Sequence, residues 1–432
     1  LSFTPTRAGL VVGAWLVVFG ALHVAFNHWL PGRDPFLLPV AALLAGWGLV
    51  LIGRLAPGFL MRQVIWLAIS GVALAALVRF RGDLRWLRRF HYTWLFGGLL
   101  VLAVTLIFGV NPSGYGPRLW LSAFGVYLQP SEPLKLLMVI YLASYLAERR
   151  ELIITERWHL GRWRLPSLAY VGPLLAMLGL AMLILARQQD LGAAMLYFFT
   201  FLAMLYIATG QWSYVLAGLA VFAVVGVVGY TLSDHVALRI DGWLNPWPQA
   251  ADRAFQIVQS LLAFSAGGIF GQGLGLGNPT YIPAVHTDFV FAAVAEEFGL
   301  LGTTAVVALV AALMLRGFRS ALRARRPFEC LLAAGLSAGT AIQAWVIMAG
   351  SVRVAPITGV TLPFMSYGGS SLLTSFLSLG LILCISNPAP ANTSATPLPV
   401  TPPRQPMRRS LLGTAGVLSA GLAVVALVAW LG

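Results

Sequence analysis

Charge is what this chain of 432 residues has least of. Asp, Glu, Lys and Arg together make up 10% of it, against about a quarter in soluble domains. Carboxylates number only 14, and a single lysine, Lys135, stands beside 27 arginines. Two cysteines, Cys330 and Cys384, offer neither a disulfide framework nor metal-ligand spacing, and each reads as a small buried hydrophobe. The sequence also lacks an internal repeat of the kind inverted-repeat transporters carry. Its one long glycine-rich stretch has no Lys-Ser/Thr ending, which a phosphate-binding P-loop requires. These shortages exclude an ordinary soluble domain, a disulfide scaffold and a P-loop nucleotide site.

What is abundant is apolar sequence. Hydrophobic residues make up 59% of the chain, in runs of about 18 or more, the length that crosses a hydrocarbon layer of about 30 Å. The runs fall near 8–27, 36–53, 60–78, 92–110, 128–147, 166–186, 190–209, 213–231, 284–315, 328–350, 359–385 and 410–431. They predict an all-α, polytopic integral membrane protein. A formal charge of +14 does not imply nucleic acid, because the arginines crowd into short connections. One group is Arg79, Arg81, Arg85, Arg88 and Arg89, and a second is Arg149, Arg150, Arg157, Arg162 and Arg164. A third is Arg316, Arg319, Arg323, Arg325 and Arg326, and a weaker one is Arg404, Arg408 and Arg409. Every cluster follows an odd-numbered run. The positive-inside rule therefore places 19 of the 28 basic residues in the cytoplasm, beside anionic membrane lipid, and both termini outside.

Two segments break the rhythm. Residues 387–409, rich in Pro, Ala, Ser and Thr, read as a disordered cytoplasmic linker. Residues 232–283 form a long outer loop of the kind that carries function. Within it, Ala254–Phe264 reads as a helix lying on or dipping into the membrane. Gly267–Gly277 reads either as a flexible re-entrant turn or as a backbone cradle for a lipid diphosphate.

Ionisable groups inside spans cost at least ~2.5–3.5 kcal/mol at the bilayer centre and mark function by default. Lys135 ends the stretch Gln129-Pro130-Ser131-Glu132-Pro133-Leu134-Lys135 and shares a helix face with Glu132. It serves either as a contact for an anionic substrate group or as half of a structural ion pair. Asp190, in Gln188-Gln189-Asp190-Leu191-Gly192, either caps the next helix or touches substrate. His286-Thr287-Asp288-Phe289 puts Asp288 at the wet outer interface, where a carboxylate can act as general base. Its alternative role is capping, and His286 is its hydrogen-bonding neighbour. Glu296 and Glu297 pair with arginines inside the bundle or reach substrate. Finally, Leu362-Pro363-Phe364-Met365-Ser366-Tyr367-Gly368-Gly369-Ser370-Ser371 predicts a broken helix that packs closely or lines a cavity.

In this order, Gln-Pro-Ser-Glu-x-x-Lys, Gln-x-Asp-Leu-Gly, His-Thr-Asp-Phe, Ala-Glu-Glu-x-Gly (295–299) and the Ser-Tyr-Gly-Gly-Ser-Ser stretch closely resemble the shape, elongation, division and sporulation (SEDS) family of RodA/FtsW-like peptidoglycan glycosyltransferases. The resemblance covers 36–386 as a ten-helix glycosyltransferase domain. It leaves 1–35 and 410–432 as an extra N-terminal and an extra C-terminal transmembrane helix. It implies polymerisation of lipid II, an undecaprenyl-diphosphate disaccharide-pentapeptide, at the outer face of the bacterial cytoplasmic membrane, beside a class B penicillin-binding partner. It further implies Asp288 as the catalytic carboxylate. Lys135, Arg118, Glu132, Asp190, Glu296, Glu297, His286, Ser366 and Tyr367 are its implied substrate-binding set. No metal ligands are assigned, and a divalent cation, Mg²⁺ or Mn²⁺, is left open. The sequence departs from the pattern at Gln189, Pro133, Ile347 and Arg353. The rival readings, a lipid-linked precursor flippase, a secondary transporter or an idle scaffold, fit less well, because the ionisable groups cluster at the outer end and Asp288 is intact.

Overall fold

The structure, a computed structural model, describes residues 5–387 apart from 81–83, 113, 115, 124, 156, 161–162 and 167. The expected linker beyond Asn387 and the last apolar run lie outside the described residues. The chain opens with three long helices, α1 (Pro5–Trp29), α2 (Leu37–Leu55) and α3 (Leu60–Arg79). A short arginine-bearing α4 (Arg85–Arg89) precedes α5 (His91–Phe108). The hairpin β1–β2 (Leu121–Ala123, Val126–Leu128) leads into α6 (Ser131–Thr155), and a second hairpin, β3–β4 (Arg157–Leu160, Trp163–Pro166), into α7 (Leu168–Arg187). Then come α8 (Leu191–Thr209), α9 (Trp212–Leu232), α10 (Asp234–Leu244), α11 (Phe255–Gly267), α12 (Val290–Arg323), α13 (Pro327–Ser351) and α14 (Gly369–Ser386).

Ten of these helices are long and apolar enough to cross a membrane. The two small hairpins are additions to the all-helical expectation. α6 falls outside the ten, yet it packs against α5, α8, α13 and α14 at the centre of the bundle. Its first turn carries Glu132 and Lys135, whose charge would be costly on a lipid-facing surface. At the other extreme, α9 has no buried residue and packs chiefly on α8 and α10. The positive-inside rule makes the ends remote from the arginine-bearing connections the expected outer ends.

Two breaks in helical backbone shape that outer end. α12 does not begin at residue 284, as the apolar run suggests. It begins at Val290, runs to Arg323, and leaves helical geometry at Gly299 (φ 63°, ψ −158°). The hydrogen bonds lost there are made by the glycine-rich turn: Gln272 and Gly273 donate to the Glu296 and Glu297 carbonyls, and Leu300 and Leu301 donate to those of Gly268 and Ile269. The second break precedes α14. Residues 352–368 are non-helical, with Leu362, Phe364, Met365 and Ser366 buried, which meets the requirement that irregular backbone at membrane depth be enclosed by protein.

Candidate active site

The first turn of α6 supplies one wall of the site. The Lys135 ammonium donates to Glu132 Oε2 at 2.5 Å and to Gln343 Oε1 of α13 at 2.6 Å. Gln343 in turn donates to the Thr361 carbonyl at 2.8 Å, so Lys135 is joined to the irregular segment before α14. Asp190 caps α8 by accepting from Ala193 N at 3.0 Å. Its other oxygen accepts from Ser131 Oγ at 3.3 Å and Gln129 Nε2 at 3.5 Å. The capping role is real, and the same carboxylate also faces Lys135, Glu132, Tyr197 and Thr361 across a cavity of about 350 Å³.

Asp288 adjoins this cavity through Gly359. A Cβ at Gly359, which has φ +70°, would stand 3.7 Å from Asp288 Oδ2. Asp288 does not cap α12; Phe289 occupies that position without a side-chain cap. Its segment is held by the stretch that follows the second break. Ser366 Oγ donates to the Thr287 carbonyl at 2.6 Å, and Tyr367 N donates to the His286 carbonyl at 2.8 Å. The His286 ring stacks on Phe59 at 5.3 Å, and Tyr367 lies 4.8 Å from the same ring. Ser366, Tyr367 and His286 thus clamp the backbone that carries Asp288. Burial lifts the Asp288 carboxyl to about 6, with the Thr287 hydroxyl and the Arg239 charge pulling the other way. Burial also raises Asp190, against the Ala193 N–H, and lowers His286, which favours a neutral ring.

Arg239 is the site residue that reading the sequence misses. It lies on α10, and its guanidinium donates to the carbonyls of Ile357 and Thr358 at 3.2 and 3.3 Å. Desolvation lowers its pKa, while the charges of Asp190 and Asp288 raise it. It is the cation that the two carboxylates share. A signal existed: Arg239 is one of the few arginines on the outer side, against the charge bias. Gln343 and Tyr197 carry no comparable mark in the sequence.

Other expected residues lie elsewhere. Glu296 and Glu297 do not line the cavity. Glu296 Oε1 accepts from Asn278 N at 2.6 Å, and Glu297 Oε1 accepts from Gly275 N at 3.2 Å and faces Arg54 at 3.4 Å. The N–H groups of Gln272, Gly273 and Gly275 in the glycine-rich turn, with Asn278 just after it, are thus committed to α12 and its two glutamates, which makes this an ordered turn. Arg118 is exposed near the first hairpin, with no side-chain partner among the described residues. Among the described residues no group of three or more His, Cys, Asp or Glu could hold a metal ion.

The fold and the site define a polytopic, all-α membrane protein with a carboxylate-bearing cavity at the arginine-poor end of its bundle. Residues 43–389 match the sequence family described as Cell cycle protein, FTSW_RODA_SPOVE, and the chain belongs to that family. It is 40% identical over 387 residues to the peptidoglycan glycosyltransferase RodA of Mycobacterium tuberculosis, covering 87% of this chain and 82% of that one. It is 36% identical over 331 residues to the probable peptidoglycan glycosyltransferase FtsW of Geobacter sulfurreducens, covering 76% and 85%. Among solved structures it resembles a chain of a peptidoglycan synthase complex that coordinates polymerization and crosslinking (TM-score 0.68, 28% identity, 82% of this chain and 97% of that one). It also resembles the rod shape determining protein RodA of Thermus thermophilus (TM-score 0.58, 26% identity, 82% and 96%).

Proposed function

We propose that this protein is a peptidoglycan glycosyltransferase that polymerises lipid II at the outer face of the bacterial cytoplasmic membrane, with Asp288 as its general base. The observation that carries the assignment of Asp288 is its placement. It is the one carboxylate of the site whose side chain neither caps a helix nor pairs with a lysine, it adjoins the cavity, and burial holds it near 6. A base poised near the working pH combines a large ionised fraction with useful proton affinity, and such help contributes typically ~10²–10⁴-fold.

In the reaction, the acceptor sugar hydroxyl attacks the anomeric carbon of the donor. The new C–O bond forms as the bond to the lipid diphosphate breaks, and the hydroxyl proton passes to the Asp288 carboxylate. The leaving diphosphate takes the electron pair, and cations at the cavity offset its charge. Lys135 stands in the cavity wall for this role. Arg239 keeps Asp288 ionised and holds the segment at 357–358, while Arg118 is free to meet substrate from the exposed side. A class B penicillin-binding protein is the proposed partner, supplying crosslinks to the nascent glycan.

The test is the purified chain with such a partner and lipid II, scored for glycan polymer. Wild type makes polymer, and Asp288→Asn folds but makes none. Polymer from Asp288→Asn at the wild-type rate would remove the general base from this account. The flippase reading predicts lipid II translocation by that same variant, without polymer from either protein.

A further inference from the structure

Backbone strain gathers around the cavity. Among the described residues, Gln189, Ala284, Arg353 and Phe364 are the non-glycine residues with positive φ, where any side chain crowds the backbone. Two of them show a reason. Phe364 is buried against Phe376, with ring centroids 5.7 Å apart. Ala284 turns its carbonyl to the N–H groups of Thr287 and Asp288, both at 3.0 Å. Gln189 and Arg353 show no such reason. Gln189 is exposed, Arg353 is half-buried, and neither side chain has a partner among the described residues.

Both residues close a helix in the same way. After α7, Gln189 N donates to the Ala186 carbonyl at 3.1 Å, and Asp190 N to that of Leu185 at 3.0 Å. After α13, Arg353 N donates to the Gly350 carbonyl at 3.3 Å, and Val354 N to that of Ala349 at 2.8 Å. This paired pattern sets its left-handed residue at Gln189 (φ 59°) and Arg353 (φ 60°), the position glycine usually fills. α8, by contrast, ends on the usual glycine, Gly210 at φ 69°. Both polar residues are also positions where the sequence departs from the family's motifs. A helix dipole attracts a cation to such an end, but it calls for no uncharged Gln189.

The two caps border the cavity. Asp190, next to Gln189, lines it, and so do Gly359, Val360 and Thr361 in the segment that Arg353 opens. Gly192 abuts the Thr358 carbonyl so closely that a Cβ would clash, which joins the start of α8 to that segment. Arg239 holds the carbonyls of Ile357 and Thr358, and one turn further along α10 Trp243 Nε1 donates to the Arg353 carbonyl at 3.1 Å. Arg353 is thus fixed at the mouth, about 6 Å along α10 from the Arg239 contact. The cavity, of about 350 Å³, is at the small end of ligand pockets. On the glycosyltransferase reading, on which this inference rests, the pentapeptide of lipid II must therefore lie outside it, across the mouth. We propose that Arg353 binds a carboxylate of that peptide and that the Gln189 amide hydrogen-bonds the peptide beside it. The pair would then select among lipid-linked substrates by their stems.

The test separates stability from binding. Arg353→Gly and Gln189→Gly relieve the crowding, so each should raise the melting temperature. Affinity for lipid II, measured on the full chain carrying Asp288→Asn so that no turnover intervenes, should fall about tenfold in Arg353→Gly and less in Gln189→Gly. Arg353→Lys keeps charge and crowding, so it should recover part of the affinity without the gain in melting temperature. Lipid II with its stem carboxylates amidated should bind Arg353 chains about tenfold more weakly, and Arg353→Gly should no longer distinguish the two lipids. Equal weakening toward both lipids would move the contact to the diphosphate and overturn the assignment. A lowered melting temperature with unchanged affinity would make Arg353 a helix-end cation and overturn it as well. If the wild-type chain makes no polymer while this binding pattern holds, the enzymatic reading falls and the peptide contact stands.

Discussion

The burial that lifts Asp288 toward 6 should be visible in kinetics and in stability. As a general base it must be ionised, so the pH profile of polymerisation should fall on the acid side with a midpoint near 6. For stability the sign is opposite to that of a salt-bridged carboxylate. The folded state binds the proton more tightly than the unfolded one, so stability declines as pH rises from about 4 to about 6. Asp288→Asn should therefore be more stable than wild type at pH 7, by at most about 3 kcal/mol, and the gain should vanish below pH 4. Arg239 adds a second check. Its charge lowers the Asp288 pKa, so Arg239→Gln should move the acid limb upward while Arg239→Lys moves it less. A reduced rate with an unmoved limb would leave Arg239 a purely structural clamp on 357–358. Lys135 needs a double mutant to separate its two roles. Removing one partner of a buried ion pair costs about 3–5 kcal/mol, so Lys135→Met should lower the melting temperature as well as activity. Glu132→Gln with Lys135→Met should restore the melting temperature and leave polymerisation lost. Recovery of both would take Lys135 out of substrate contact.

At the scale of elements, the break in α12 is the feature most exposed to test. Gly299 has positive φ, and a Cβ there would press on Gly271 N and the Ile269 carbonyl. Gly299→Ala should cost on the order of 3 kcal/mol, free the glycine-rich turn, and disturb Asp288 through the helical segment 290–298. Thermal melting beside the polymer assay reads both effects, and an unchanged melting temperature would mean the break bears no strain. This element also marks where the sequence stopped being legible. Apolar runs and arginine clusters placed the helices, because lipid imposes length and charge rules that any single chain displays. Motif order drew attention to Asp288, Asp190 and Lys135. Nothing local announced that the turn at 267–277 would answer to Glu296 and Glu297, since those pairings link residues about 20 apart through one break in φ. Ser366 and Tyr367, expected to bind substrate, grip the backbone that carries Asp288, a role only the fold displays. Arg239 was passed over because an amphipathic 11-residue helix inside a polar stretch reads as loop.

For the molecule as a whole, orientation is the claim on which the location of chemistry depends. An impermeant thiol reagent applied from outside should label Asp252→Cys, on the exposed stretch between α10 and α11, and should miss Ser394→Cys. The opposite pattern would move the cavity to the cytoplasmic side, where lipid II polymerisation has no product to deliver. The bundle's centre explains why this end is the working one. Beneath the cavity at Asp190 lies a second, of about 430 Å³, shared by α6, α8, α13 and α14 and lined by Thr200, Ser375 and Ser378 below Lys135. Lys135 lines both chambers, but only the upper one is lined by carboxylates, Glu132 and Asp190.

The solitary lysine has a practical consequence. Apart from any free α-amine, an acylating or reductively alkylating reagent finds a single aliphatic amine on this chain, and it stands in the wall of the cavity. The protein thus carries a native, residue-specific chemical reporter that needs no engineering. Its modification yield, read by mass spectrometry on the peptide that contains Lys135, should drop when a donor lipid fills the cavity and climb in Glu132→Gln, where the ammonium loses its carboxylate.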